Sequence, residues 1–231
     1  MKKSEIIEKN KKAVILIDIK IPCENNQGKI SIRGTGFVVS PDGKFITCSH
    51  VYKQIQQNEL PYLGVSVPGQ TDEKKITHYD RYGVELIEMD EENDLALMKI
   101  KTDKEMNFAV IKEVGEPEKV QEGEEAIFIG YPLATELLSM GFGITMTANQ
   151  CIISSVKRRM DGSLHFFMID THANNGSSGS PVFSTETGKV IGVVSGKIST
   201  KIPAPDGKLI DIPANLGICR PINYINNLLK I

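Results

Sequence analysis

Apolar and polar positions along the chain fall into many short runs. AVILIDI (13–19), GTGFVVS (34–40), KFITCSHV (44–51), LGVSVPG (63–69), GVELIEM (83–89) and DLALMKI (94–100) are β-branched or aromatic in character. So are EAIFIGYP (125–132), CIISSVKR (151–158), HFFMID (165–170), SPVFS (180–184), KVIGVVSG (189–196) and NLGICR (215–220). Turn-forming groups separate them: SPDG at 40–43, TETG at 185–188 and PDG at 205–207. A dozen such runs predict an all-β protein built as two six-stranded antiparallel barrels. Helical spacing is confined to the ends. Residues 3–12 read as a short polar helix or arm. In PINYINNLLKI, Ile222, Ile225, Leu228 and Leu229 recur at helical spacing behind Pro221, which predicts a C-terminal helix over 221–231. The charged stretch 112–125, KEVGEPEKVQEGEE, reads as the connection between two β units. The expected organisation is one domain over 1–231, with barrels at 13–111 and 121–220.

Composition narrows the function without naming it. The 231 residues are long enough to bury a substantial core, and 40% are hydrophobic and 24% charged. The net charge of −2 gives no basic footprint for a nucleic-acid partner. No run approaches the roughly 18 apolar residues of a membrane span, so no membrane partner is expected. The start, MKKSEIIEKNKKAVILIDIK, lacks the apolar core and cleavage site of a signal peptide, which sets a cytoplasmic expectation. Four cysteines stand at 23, 48, 151 and 219 with no CxxC pair, so no zinc site is expected; Cys48 and Cys219 lie in apolar runs and read as buried thiols.

Three segments carry candidate chemistry: FITCSHV with His50, ENDLALMKI with Asp94, and NNGSSGSPVF with a glycine-flanked serine. A serine hydroxyl is a poor nucleophile near neutral pH. It needs an imidazole to take its proton and a carboxylate to orient that imidazole. It also needs backbone N–H groups aimed at the oxyanion, and flanking glycines give the main chain that freedom. Any one segment alone reads as a surface histidine, a turn aspartate or a flexible loop.

Together with EGEEAIFIGYP, KVIGVVSG and LGICRPINY, these segments resemble, in order and rough spacing, the HtrA/Deg-type trypsin-like serine proteases. The resemblance covers roughly residues 13–230. The serine segment is also similar to that of the glutamyl endopeptidases of the same fold. The order is His, Asp, Ser, with separations of 44 and 84 residues. The Gly-x-Ser-Gly-x-Pro pattern, set by Gly176, Gly179 and Pro181, picks Ser178 over Ser177 and Ser180 as nucleophile. His50 stands in the TxSH context and Asp94 in the Asp-Leu-Ala context, while Asp90, Glu91 and Glu92 read as a solvated charged stretch. The resemblance implies a serine endopeptidase with a polypeptide substrate and no cofactor or metal. It also implies an oxyanion hole from the N–H groups of Gly176 and Ser178, spaced by Ser177. It places His172 near the floor of the specificity pocket, Val194, Ser195 and Gly196 on a substrate-pairing edge, and Gly217 on another wall. His172 then either binds a polar P1 side chain or packs beside a pocket for medium apolar residues; we favour the second. An aspartate at 172 would have indicated cleavage after Lys or Arg. The PDZ domain common in such proteases finds no room after 221–231, and no Ile-Val-Gly-Gly start supports zymogen activation. Loops 131–147 and 197–216 are placed to control the site. A regulatory partner or homo-oligomer is left undefined. The rival expectation is a latent trypsin-fold protein that binds without cleaving.

Overall fold

The computed structural model describes residues 1–22, 29–203 and 208–230. Cys23 and the PDG turn at 205–207 lie outside the described residues. Twelve strands form two closed barrels. The first holds β1 (Val14–Ile21), β2 (Lys29–Val38), β3 (Lys44–Thr47), β4 (Leu63–Thr71), β5 (Thr77–Asp90) and β6 (Leu95–Ile100), in the order β1-β2-β3-β6-β5-β4. The second holds β7 (Glu125–Gly130), β8 (Thr147–Arg158), β9 (Leu164–Ile169), β10 (Pro181–Ser184), β11 (Val190–Pro203) and β12 (Leu209–Pro221). Its order around the barrel, β7-β8-β9-β12-β11-β10, repeats that of the first, and the pairings are antiparallel. The expected all-β architecture of two six-stranded barrels is therefore observed. No internal repeat is visible in the sequence. Barrel closure needs only an inward apolar face, which many unrelated residues supply.

The barrels pack as one unit. Ile15, Leu16 and Ile17 of β1 share a continuous apolar core with Ile127 and Ile129 of β7, Phe183 of β10 and Val193 of β11. At the junction Tyr131, fully buried after β7, donates its hydroxyl to the Val14 carbonyl at 3.1 Å. A buried carboxylate in β1 is also satisfied: Asp18 accepts from Arg81 Nε at 2.6 Å and from Ser66 Oγ at 2.8 Å. Unpaired, such a charge would cost several kcal/mol.

Helices are few. α1 (Lys3–Asn10) buries Ile6 in the shared apolar core. The expected C-terminal helix begins as a 3-10 turn at Ile222–Tyr224 and continues as α4 (Ile225–Leu229). Ile222, Ile225 and Leu228 are buried in the shared core, and Leu229 is half-buried. Two helices fall inside segments read as strand or loop. KFITCSHV ends its strand at Thr47, and α2 (Ser49–Lys53) carries His50. α3 (Ala134–Ser139) lies within the 131–147 loop. Both are too short for a clear helical period.

Candidate active site

The site lies between the barrels. His50 comes from the first turn of α2, Asp94 from the turn joining β5 to β6, and Ser178 from the loop leading into β10. His50 Nε2 stands 3.0 Å from Ser178 Oγ, and His50 Nδ1 stands 2.8 Å from Asp94 Oδ2. The contact to Asp94 requires the proton on Nδ1. That leaves Nε2 as an acceptor facing the serine hydroxyl. Ser177 and Ser180 are not equivalent to Ser178. Both hydroxyls are fully buried and have no hydrogen-bond partner among the described residues.

Asp94 is held from several sides. Its Oδ1 accepts from the His50 backbone N–H at 3.0 Å and from Ser49 Oγ at 2.9 Å; its Oδ2 accepts from Ser195 Oγ at 2.6 Å. Burial works against its charge. The hydrogen bonds from His50 and Ser195 outweigh burial, and the pKa falls to about 2. Asp94 also has φ 54°, a left-handed conformation that Asp tolerates better than most residues. The preceding turn fixes this geometry. Asp90 accepts from the Asn93 backbone N–H at 3.0 Å and from Asn93 Nδ2 at 2.7 Å. The sequence groups Asp90 with the solvated acids; its carboxylate instead caps the turn that carries Asp94. Glu91 and Glu92 are exposed; they pair with Lys53 and Arg159 at 2.7 and 2.8 Å.

The serine loop is clamped to the first barrel. Thr35 N–H donates to the Ser178 carbonyl at 2.8 Å, Thr35 Oγ1 donates to the Gly176 carbonyl at 2.7 Å, and Thr47 Oγ1 donates to the Thr35 carbonyl at 2.7 Å. On the other side, Gly179 N–H donates to the Val194 carbonyl at 2.7 Å. Among the described residues, neither Gly176 N–H nor Ser178 N–H has a protein acceptor. Two neighbouring N–H donors are thus left without a protein partner. Glycine is required at both turns. Gly176 has φ 92°, and a Cβ there would sit 2.2 Å from the Tyr131 carbonyl oxygen. Gly179 has φ 89°, and its Cβ would sit 1.9 Å from the Thr35 carbonyl oxygen. Gly179→Ala is therefore expected to lose about 3 kcal/mol or more of stability. Gly83→Ala, with open space around the added carbon, should stay within about 0.5 kcal/mol. Urea unfolding of the two variants checks this pair.

The expected pocket residues are partly regrouped. Val194 is buried, and both its backbone groups are spent on the serine loop: Val194 N–H donates to the Ser180 carbonyl at 2.9 Å, and its own carbonyl also takes the Cys48 thiol at 3.2 Å. Ser195 is the extra residue of a β-bulge, and the bulge turns its hydroxyl onto Asp94. From Gly196 to Pro203 the outer edge of β11 is unpaired among the described residues. A Cβ on Gly196 would meet nothing within 4 Å, whereas one on Gly217 would lie 3.0 Å from Ile169 Cγ1. His172 is half-buried, with Nδ1 3.3 Å from Asn215 Oδ1. Ser49, Thr35 and Asn215 were not singled out from the sequence. A buried hydroxyl or a surface amide carries no local signature there.

Cys48, His50 and Asp94 present ligand atoms within 4.8 Å of one another. They suit a metal poorly. Burial pushes the Cys48 thiol well above its ordinary range, its proton is given to Val194, and His50 and Asp94 are committed to each other. Cys48, Cys151 and Cys219 are free and buried. Burial likewise raises Cys219, and raises Cys151 to about 12.

The profile of the trypsin-like peptidase domain family matches residues 34–193. The magnetosome formation protease MamE of Paramagnetospirillum magneticum is 33% identical over 194 residues, covering 82% of this chain and 22% of that protein. The probable periplasmic serine endoprotease DegP-like of Marinomonas sp. is 29% identical over 194 residues, covering 83% of this chain and 35% of that protein. Its counterpart in Chlamydia pneumoniae is 31% identical over 184 residues, covering 76% and 31%. The chain thus spans about a fifth to a third of the length of the curated relatives it matches. Several relatives are named as periplasmic, which overturns the cytoplasmic expectation. Location is written in segments read by export machinery, and the barrels carry no record of it.

Proposed function

This chain belongs to the trypsin-like peptidase family, and on that premise we propose that it is a serine endopeptidase acting through an acyl-enzyme on Ser178. One observation carries the reading: the imidazole of His50 bridges Asp94 and Ser178 at 2.8 and 3.0 Å, a placement that favours the tautomer catalysis needs. Ser178 Oγ attacks the scissile carbonyl carbon as His50 Nε2 takes its proton. Asp94 holds the ring and stabilises its cation. The N–H groups of Gly176 and Ser178 receive the oxyanion. The tetrahedral adduct collapses, the C–N bond breaks, and the leaving amine takes the proton from Nε2. Water then gives a proton to His50 Nε2 as it attacks the ester carbon; the C–Oγ bond breaks and His50 returns the proton to Ser178 Oγ. In this reading Ser195 and Ser49 are positioning residues that act through Asp94. In this reading residues 1–231 belong to one peptidase unit, with barrels at 13–111 and 121–220 and a C-terminal helical segment over 222–229.

Fluorophosphonate labelling followed by mass spectrometry tests the proposal. An adduct on Ser178, absent in Ser178→Ala, supports it. A folded protein that takes no label would speak for a latent binding module.

For specificity we propose a polypeptide substrate with a medium apolar P1 residue. The open space at Gly196 and the engagement of His172 with Asn215 support that reading. A P1-randomised peptide library should be dominated by residues such as Val, Ile or Leu. Domination by Glu or Asp would assign His172 to the P1 side chain instead.

A further inference from the structure

A cavity of about 510 Å³ opens on the side of the molecule where α1, the β4–β5 hairpin and loop 140–146 meet. No triad residue lines it. Its apolar lining includes Ile7, Ile76, Tyr79, Ile144 and Met146, and its rim carries Lys11, Lys12 and Lys75. Lys11 is neutralised by Glu8 at 2.6 Å. Lys12 and Lys75 have no carboxylate partner among the described residues. Ile76 is 54% exposed, and its backbone N–H donates to Asp72 Oδ1 at 2.9 Å.

The occupant that fits is a chain of methylenes ending in one anionic group. A peptide segment would bring its own amides, and these would need polar partners in the wall. The Thr71 and Thr77 hydroxyls are 3.0 Å apart and bonded to each other, so neither is free for such an amide. Volume and apolar lining match a small-molecule site.

The cavity also touches the serine loop through one residue. Tyr131 lines it, its ring packed edge-on against Tyr79 with centroids 6.1 Å apart. Tyr131 N–H donates to Thr35 Oγ1 at 3.1 Å, the same hydroxyl that donates to the Gly176 carbonyl. The Tyr131 carbonyl borders Gly176 so closely that no Cβ fits between them. Two residues on, Leu133 has φ 54°, and its N–H donates to the Asn175 carbonyl at 2.8 Å. A left-handed leucine costs roughly 1–2 kcal/mol, so this segment holds strain beside the oxyanion turn.

We propose that this cavity is an effector site for an aliphatic carboxylate, and that its occupancy is felt at the Gly176 turn through Tyr131. Only the kinetic part of the proposal rests on the peptidase reading.

Binding is therefore measured first on Ser178→Ala protein, by calorimetry with dodecanoate below its micelle concentration. Saturable binding to one site is expected, with dodecanol and dodecyltrimethylammonium weaker by roughly tenfold. The Lys12→Glu/Lys75→Glu double variant, altered only at exposed positions, should weaken dodecanoate by roughly tenfold as well. Ligand should shift the Gly176 amide resonance in the same protein. In the active chain it should change kcat by about fivefold or more, and this effect should vanish in the double variant. No binding, or equal binding of all three amphiphiles, overturns the site. Binding with an unmoved Gly176 amide overturns the coupling, whatever the peptidase activity proves to be.

Discussion

Ser178→Ala is expected to lower kcat for peptide hydrolysis by about 10⁶-fold, with unfolding stability within about 1 kcal/mol of the parent. In the proposed mechanism the hydroxyl is the attacking group, and the Ser177 and Ser180 hydroxyls are buried away from His50. A residual rate of about 10³–10⁴ over water should remain, because the free Gly176 and Ser178 N–H groups still receive the oxyanion. Adding His50→Ala to this variant should change little more, since nucleophile and base act as a unit. Steady-state kinetics on the three proteins checks both the size of the loss and its non-additivity. A Ser178→Ala protein that keeps even a hundredth of the parent kcat would remove Ser178 from the mechanism.

Asp94→Asn is expected to cost about 10⁴-fold in kcat with little change in KM. An amide can present its N–H to His50 Nδ1. That stabilises the tautomer with the proton on Nε2, and the ring then faces Ser178 as a donor. The substitution also has a stability consequence with a definite pH window. The folded pKa of Asp94, about 2, is below its ordinary value of 3.8. A depressed carboxylate contributes stability above the unfolded pKa and loses it as pH falls through the folded one. The contribution, about 2 kcal/mol, should be complete above roughly pH 4 and gone near pH 2. Urea unfolding between pH 2 and 5 should therefore show a shallower acid limb for Asp94→Asn than for the parent. Parallel limbs would mean that Asp94 is not held as a low-pKa carboxylate.

Much of this architecture was legible because β-barrels write themselves locally. Each strand needs β-branched residues and a turn on either side, and GTGFVVS or EAIFIGYP shows both within a few positions. Strand ends were less legible. β11 and β12 run on past Gly196 and start before Asn215, because two exposed strands can support each other without a buried face. The helix at Ser49–Lys53 was hidden because so short a segment has no period to read.

The candidate triad could be named because three spaced motifs resemble, in order and context, those of the HtrA/Deg-type trypsin-like serine proteases. Glycines at 176 and 179 mark positive φ, and Asp94 opens a strand from a tight turn. What surrounds the triad could not be read this way. Thr35 lies 141 residues from Gly176, and Ser195 lies 101 residues from Asp94. Asp90 looked like one more surface acid until its carboxylate was seen to cap Asn93.

The sequence alone thus determined the strand count and the all-β class and singled out three candidate side chains, since periodicity, turn chemistry and motif spacing act over a few residues. Only the tertiary structure decided which hydroxyls hold Asp94, which N–H groups are left free, and that a lysine-rimmed cavity reaches Tyr131, the neighbour of the Gly176 turn. Those properties belong to side chains brought together across two barrels, and their separation along the chain leaves no local pattern to read.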